Sequence, residues 1–224
     1  MRIKDIKKAS LYFLRILKNP FSKQNRTALK RYFCEIGVLM CEKIKGIDFT
    51  MVYQCNDNKH NNNYSKSPKQ VLKKIFDDIS FDRPHSFIDM GCGKGYVLVC
   101  AAAYPFTDVG GVEYNLELYN ICQRNLKKLG YDNIKTFNCD AKIFDGYEDY
   151  DIYYFCNPFD ETILSVVAKK IIEAHKDGKC WIYYLNPHQP ERQKAITDAG
   201  FKLVKIIEDK NEMYFDINVY SNLN

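Results

Sequence analysis

Two periods alternate along the 224-residue chain, one of three to four residues and one of two, and they divide it into helices and strands. Over 1–18, Ile6, Ala9, Phe13, Ile16 and Leu17 share one helical face with lysines elsewhere, and Asn19-Pro20 ends that helix. A second amphipathic helix carries Leu29, Tyr32, Phe33, Ile36, Leu39 and Met40 as one stripe. Both are expected to pack on the rest of the chain. From 54 to 67 the pattern lapses into polar residues, with three asparagines at 61–63, and reads as a loop. Ser67 then offers an N-cap and Pro68 a first helical residue to a helix carrying Val71, Leu72, Ile75, Phe76 and Ile79.

Strand and helix alternate thereafter. An apolar strand beginning at Ser86 and ending in Asp89 leads to a buried helix at 96–103, which stops before Pro105. A strand at 109–112 precedes a helix at 116–129, capped by Asn115 and closed by Gly130. Strands follow at 134–137 and 150–156, then a helix at 161–174, a strand at 180–185 and a helix near 191–199. The last two strands, 201–208 and 213–220, are joined by Asp-Lys-Asn and form an antiparallel hairpin. This alternation predicts an α/β fold with a mainly parallel sheet that ends in one antiparallel hairpin.

Candidate chemistry gathers where the first strand meets its helix. Asp89, Gly91, Gly93 and Gly95 occupy alternate positions there. Open α/β sheets bind ligands at such a turn, because glycine admits close backbone approach. A dinucleotide fingerprint, GxGxxG, would need glycine where Tyr96 stands, which disfavours a nicotinamide-dependent oxidoreductase. Downstream, Glu113 closes the second strand 18 residues after Gly95, Asp140 closes the third, and Asn157-Pro158-Phe159 closes the fourth. In this order the signals resemble the class I S-adenosylmethionine-dependent methyltransferases, whose Rossmann-like sheet is the fold the resemblance implies.

The resemblance implies roles for these residues. Asp89, Gly91, Gly93 and Gly95 would hold the methionine end of S-adenosylmethionine, Glu113 its ribose hydroxyls and Asp140 its adenine amino group. Asn157, Pro158 and Phe159 would form the catalytic motif that receives an amino nitrogen. A single proline, with Phe159 and then Asp160 after it, is similar to the DOT1-like lysine methyltransferases and an uncharacterised bacterial branch, as is Tyr64 ahead of Ser67-Pro68. The implied activity is N-methylation of a protein lysine, with nucleic-acid or small-molecule amino groups as alternative acceptors. A cofactor-binding module without catalysis is disfavoured by the complete Asn157-Pro158-Phe159 motif.

Composition changes this picture in two ways. The net charge is +5, but residues 1–46 hold twelve Lys or Arg against three acids, a balance of +9 that leaves −4 for the remainder. Such an arm suits an acidic or polyanionic surface, or a solvated helical face. The nine cysteines include no CxxC pair, and the four histidines share no ligand spacing, so no metal site is proposed and a reduced, cytoplasmic setting is expected. No apolar run is long enough to span a bilayer. Cys156, within the fourth strand, is read as packing rather than attacking, and His188 as a possible base at the cleft. The organisation expected is therefore a basic helical arm at 1–53, a polar loop or lid at 54–67 and a cofactor-binding domain at 68–224.

Overall fold

The computed structural model describes residues 34, 36–51, 64–185, 189–208 and 216–222. Two compact units divide the chain, 1–46 and 47–224. In the first, residues 36–45 are helical; the helix expected over 1–18 lies outside the described residues. No described helix is long and apolar enough to cross a membrane.

The second unit carries the sheet. Its elements are α1 (Lys69–Asp78), β1 (Ser86–Met90), α2 (Tyr96–Ala101), β2 (Asp108–Val112), α3 (Leu116–Leu129), β3 (Lys135–Phe137), β4 (Ile152–Phe155), α4 (Glu161–Ala174), β5 (Trp181–Leu185), α5 (Pro190–Asp198), β6 (Lys202–Ile207) and β7 (Ile217–Ser221). The strands lie in the order β3-β2-β1-β4-β5-β7-β6. All pairs from β3 to β5 are parallel, and β7 runs antiparallel to both its neighbours. The sheet is thus mainly parallel with an antiparallel C-terminal hairpin, as the alternation predicts; the hairpin's Asp-Lys-Asn turn lies outside the described residues. Lysines and burial distinguish the edge strand from the one that joins β5. Every residue of β7 is buried, whereas β6 carries Lys202 and Lys205 and is exposed along most of its length, which suits an edge.

The two-residue period sends side chains to opposite faces. Ile88, Met90, Tyr153, Phe155, Ile182 and Tyr184 pack under α4 and α5, while Phe87, Ile152, Tyr154, Tyr183 and Leu185 pack under α1 and α2. Caps fix the helix starts: Asn115 accepts from the Glu117 and Leu118 N–H groups, and Asp160 from those of Thr162 and Ile163. Ser67 does not cap α1. Pro68 takes the capping position without a side-chain bond, and the Ser67 hydroxyl instead meets the Tyr154 hydroxyl at 2.9 Å. A fully buried phenol needs a partner, and Ser67 supplies it.

Growth of the sheet reverses at β1, with β2 and β3 on one side and β4 onward on the other. The carboxyl ends of strands at such a switch point leave a crevice for ligands.

Candidate active site

A cleft of about 260 Å³ occupies that place, close to the lower bound of roughly 300 Å³ usual for small-molecule sites. Asp89, Gly91, Gly93, Glu113, Asp140, Asn157, Pro158 and Phe159 all line it. Gly95 lies behind the wall, where a Cβ would come within 2.6 Å of Cys122 Sγ. His188 lies outside the described residues. His85 and His175 are buried away from the cleft, bonded to Asp151 and Tyr153.

Packing, as much as ligand approach, demands the glycines. Gly91 has φ 100°, and a Cβ there would sit 2.6 Å from the Pro158 Cβ, so the first and fourth loops touch through this position. Gly93 has φ 52°, and a Cβ on it would run into the Tyr64 ring. Four of the turn's N–H groups are already engaged. Those of Gly91 and Cys92 donate to the Val112 carbonyl at 2.8 and 2.9 Å, that of Gly93 to Glu113 Oε2 at 2.8 Å, and that of Gly95 to the Cys92 carbonyl at 2.9 Å. Phosphate-binding turns leave such donors free for an anion. This one does not.

Its charges favour a cation instead. Asp89 and Glu113 are 2% and 8% exposed, and neither forms an ion pair with a Lys or Arg among the described residues. Burial, then the charge of Glu113, pushes the Asp89 carboxyl well above its ordinary pKa. Burial also raises Glu113, against the lowering effect of N–H groups at Asn115, Gly93 and Tyr114. Two buried carboxylates without a counter-cation fit a ligand that brings positive charge, as the sulfonium and ammonium of S-adenosylmethionine do. Glu113 Oε2 accepts the Gly93 N–H and Oε1 the Asn115 N–H, and with Tyr114 as a third donor the carboxylate still has acceptor capacity for a ribose hydroxyl. Asp140 is less free: Oδ1 accepts from the Lys142 N–H at 2.9 Å and Oδ2 lies 3.3 Å from Lys142 Nζ.

The far wall is built differently. Asn157 follows β4 with φ 47°, and its Oδ1 accepts from Arg192 Nη1 at 3.0 Å. Phe159 is 6% exposed and packs edge-on against Phe155 at 5.9 Å, so little of its ring reaches the cleft. Cys156 lies just past the strand and lines the cleft, yet burial raises its thiol pKa and keeps it a poor nucleophile.

Several supporting residues escape a reading of motifs. Lys94, inside the glycine turn, is 2% exposed and joins Asp48 Oδ2 at 2.6 Å and the Met51 carbonyl at 2.7 Å. Asn125, fully buried on α3, accepts from the Asp48 N–H and donates to the Asp48 and Lys94 carbonyls. The Tyr64 hydroxyl donates to the Phe49 carbonyl at 2.7 Å. Together they fasten residues 47–51 and 64–67 beside the glycine turn. A legible signal existed for Asn125, an amide on the apolar stripe formed by Leu118, Ile121, Cys122 and Leu126.

A doubly wound sheet with a cleft at its switch point is the architecture of the class I S-adenosylmethionine-dependent methyltransferases. The profile of the family "Protein-L-isoaspartate(D-aspartate) O-methyltransferase (PCMT)" matches residues 49–178, and the chain belongs to that family. S-adenosylmethionine is accordingly its methyl donor. No curated protein sequence matches the chain. Solved structures share the fold at low identity. The PH0226 protein of Pyrococcus horikoshii OT3 is 14% identical, with 67% of this chain and 87% of that one covered and a TM-score of 0.57. Magnesium protoporphyrin IX methyltransferase (ChlM) of Synechocystis PCC 6803, solved with bound SAM, is 16% identical over 69% and 79%, with a TM-score of 0.54. The ribosomal protein L11 methylase of Lactobacillus delbrueckii subsp. bulgaricus is 14% identical over 67% and 77%, with a TM-score of 0.51.

Proposed function

We propose that the protein methylates an amino nitrogen, with a protein lysine as the acceptor, at the wall formed by Asn157, Pro158 and Phe159. The observation that carries this reading is that those three residues line the same cleft as Asp89 and Glu113. S-adenosylmethionine, when bound, supplies an electrophilic methyl group on sulfur. Asp89 and Glu113 would hold its cationic and ribose parts, with Gly91 and Gly93 keeping the floor open and Asp140 at the adenine end. An amine reacts only as the neutral base with its lone pair in line. An amide oxygen can accept more than one hydrogen bond, so Asn157 Oδ1, oriented by Arg192, together with a main-chain carbonyl near Pro158 would accept the amine N–H groups and aim the nitrogen. One N–H proton then leaves to solvent.

Two further features support a macromolecular, DOT1-like reading. Tyr64, Ser65, Lys66 and Ser67 line the cleft, which supports the end of the 54–67 segment as a cover for the cofactor. The arm's excess of +9 over 1–46 would favour acceptors with acidic surfaces.

A second reading has its own support. The matched family's description names carboxyl O-methylation, and the buried Arg192 guanidinium behind Asn157 would favour an anionic acceptor. The two chemistries leave different products. Cell extract incubated with the protein and methyl-labelled S-adenosylmethionine should yield labelled protein that keeps its label in warm alkali. Release of the label as volatile methanol would instead mark an ester and overturn the amine reading; label recovered in nucleic acid or small molecules would overturn the choice of protein lysine.

A further inference from the structure

We propose that Arg192 is a positioning residue of the acceptor site, acting through Asn157; the inference rests on the reading that Asn157 receives the acceptor. Arg192 lies on α5, beyond the family-matched segment, on the inward face with Ala195 and Ile196. It is 8% exposed, and no carboxylate lies within ion-pair distance of it among the described residues. Its Nε is buried without a hydrogen-bond partner. The Tyr184 hydroxyl lies beside the guanidinium, which offsets part of its burial-raised pKa of about 12, though not in good hydrogen-bond geometry. Isolated buried charges oppose folding, and a guanidinium in such surroundings is seldom retained for stability.

What Arg192 does accomplish is orientation. Among the described residues, its one side-chain hydrogen bond with good geometry ends on Asn157 Oδ1. A guanidinium carries donors only, so the amide must present its oxygen to Arg192, and the amide plane is thereby fixed. Asn157 is also the one non-glycine residue with positive φ among the described residues. Asparagine tolerates that left-handed conformation better than most residues, though at some cost, and an anchor on its side chain holds it there. The result is a preset amide at the carboxyl end of β4, beside the cleft.

Four proteins test the assignment: Arg192→Met, Arg192→Lys, Asn157→Ala and the Arg192→Met, Asn157→Ala double variant. Each is assayed for S-adenosylhomocysteine affinity by calorimetry, for melting temperature, and for single-turnover methyl transfer to the protein fraction of a cell extract. A released Asn157 should cost Arg192→Met about 10- to 100-fold in transfer rate, with cofactor affinity changed less than twofold. Its melting temperature should hold or rise, because an isolated buried charge has gone. Arg192→Lys should recover most of the rate, since an ammonium can also donate to Oδ1. The double variant should be no slower than Asn157→Ala alone, the mark of two residues acting as one unit.

Contrary results are as definite. Full transfer by Arg192→Met while Asn157→Ala is slow would remove Arg192 from the site and leave the function intact. A slow Arg192→Met that also melts lower and binds cofactor weakly would make the residue structural, as would failure of Arg192→Lys to restore the rate. Full transfer by Asn157→Ala would overturn the acceptor-site reading itself, and this inference with it.

Discussion

The two halves of the cleft use opposite means. On the β1–β2 side the main chain does the shaping: glycines at 91 and 93 bring loops into contact, and their N–H groups end on Val112 and Glu113. On the β4–α5 side one amide, Asn157, is held by a long cationic side chain from another element. Backbone shaping tolerates little change, whereas a side-chain anchor can be replaced without moving a strand.

Disrupting the donor half should give the largest effect. Gly91→Ala places a methyl against the Pro158 ring in a left-handed conformation, with no flexible end to yield. Loss of about 3 kcal/mol of stability, read by chemical denaturation, is expected, with cofactor binding lost alongside. A Gly91→Ala protein of native stability and affinity would show that the two halves do not touch as described.

A smaller effect follows from the buried acid. Asp89 has a raised pKa in the folded chain, so between its ordinary value near 4 and that raised value the folded state binds more protons than the unfolded one. Stability of the ligand-free protein should therefore fall as pH rises through this window, and Asp89→Asn should flatten the slope. Cofactor affinity should run the other way, rising with pH as the carboxylate forms, and Asp89→Asn should weaken S-adenosylhomocysteine roughly tenfold, about one charge-assisted hydrogen bond. Parallel pH curves for both proteins would contradict the role of this charge.

Most of the donor half was legible in sequence because its signals are periodic or conformational. Strand ends, alternate glycines and the Asn115 and Asp160 caps all follow from short-range rules. What escaped depends on long-range contacts. Ser67 looked like a cap and became the partner of Tyr154, 87 positions away. The periodicity predicts the hairpin, but which of its strands joins β5 shows only in burial, with β7 buried throughout and lysine-bearing β6 exposed at the edge. Arg192 and Asn125 show a subtler signal, a polar residue on a helix's buried face, which sequence reveals without showing what it bonds. Phe159 belongs to the motif that the resemblance assigns to the acceptor, and packing against Phe155 leaves little of its ring to the cleft.

The central claim is that donor binding and acceptor positioning reside in separate walls of one cleft, and a crossed pair of variants tests it most directly. Glu113→Gln and Asn157→Ala would each be measured by calorimetry with S-adenosylhomocysteine and by single-turnover transfer at saturating methyl donor. Glu113→Gln should weaken affinity about 10- to 100-fold, through loss of charge-assisted hydrogen bonds, and retain transfer once saturated. Asn157→Ala should keep affinity within twofold and slow transfer about 100-fold. If Asn157→Ala instead loses cofactor and transfers normally at saturation, Asn157 belongs to the donor wall and the division is wrong.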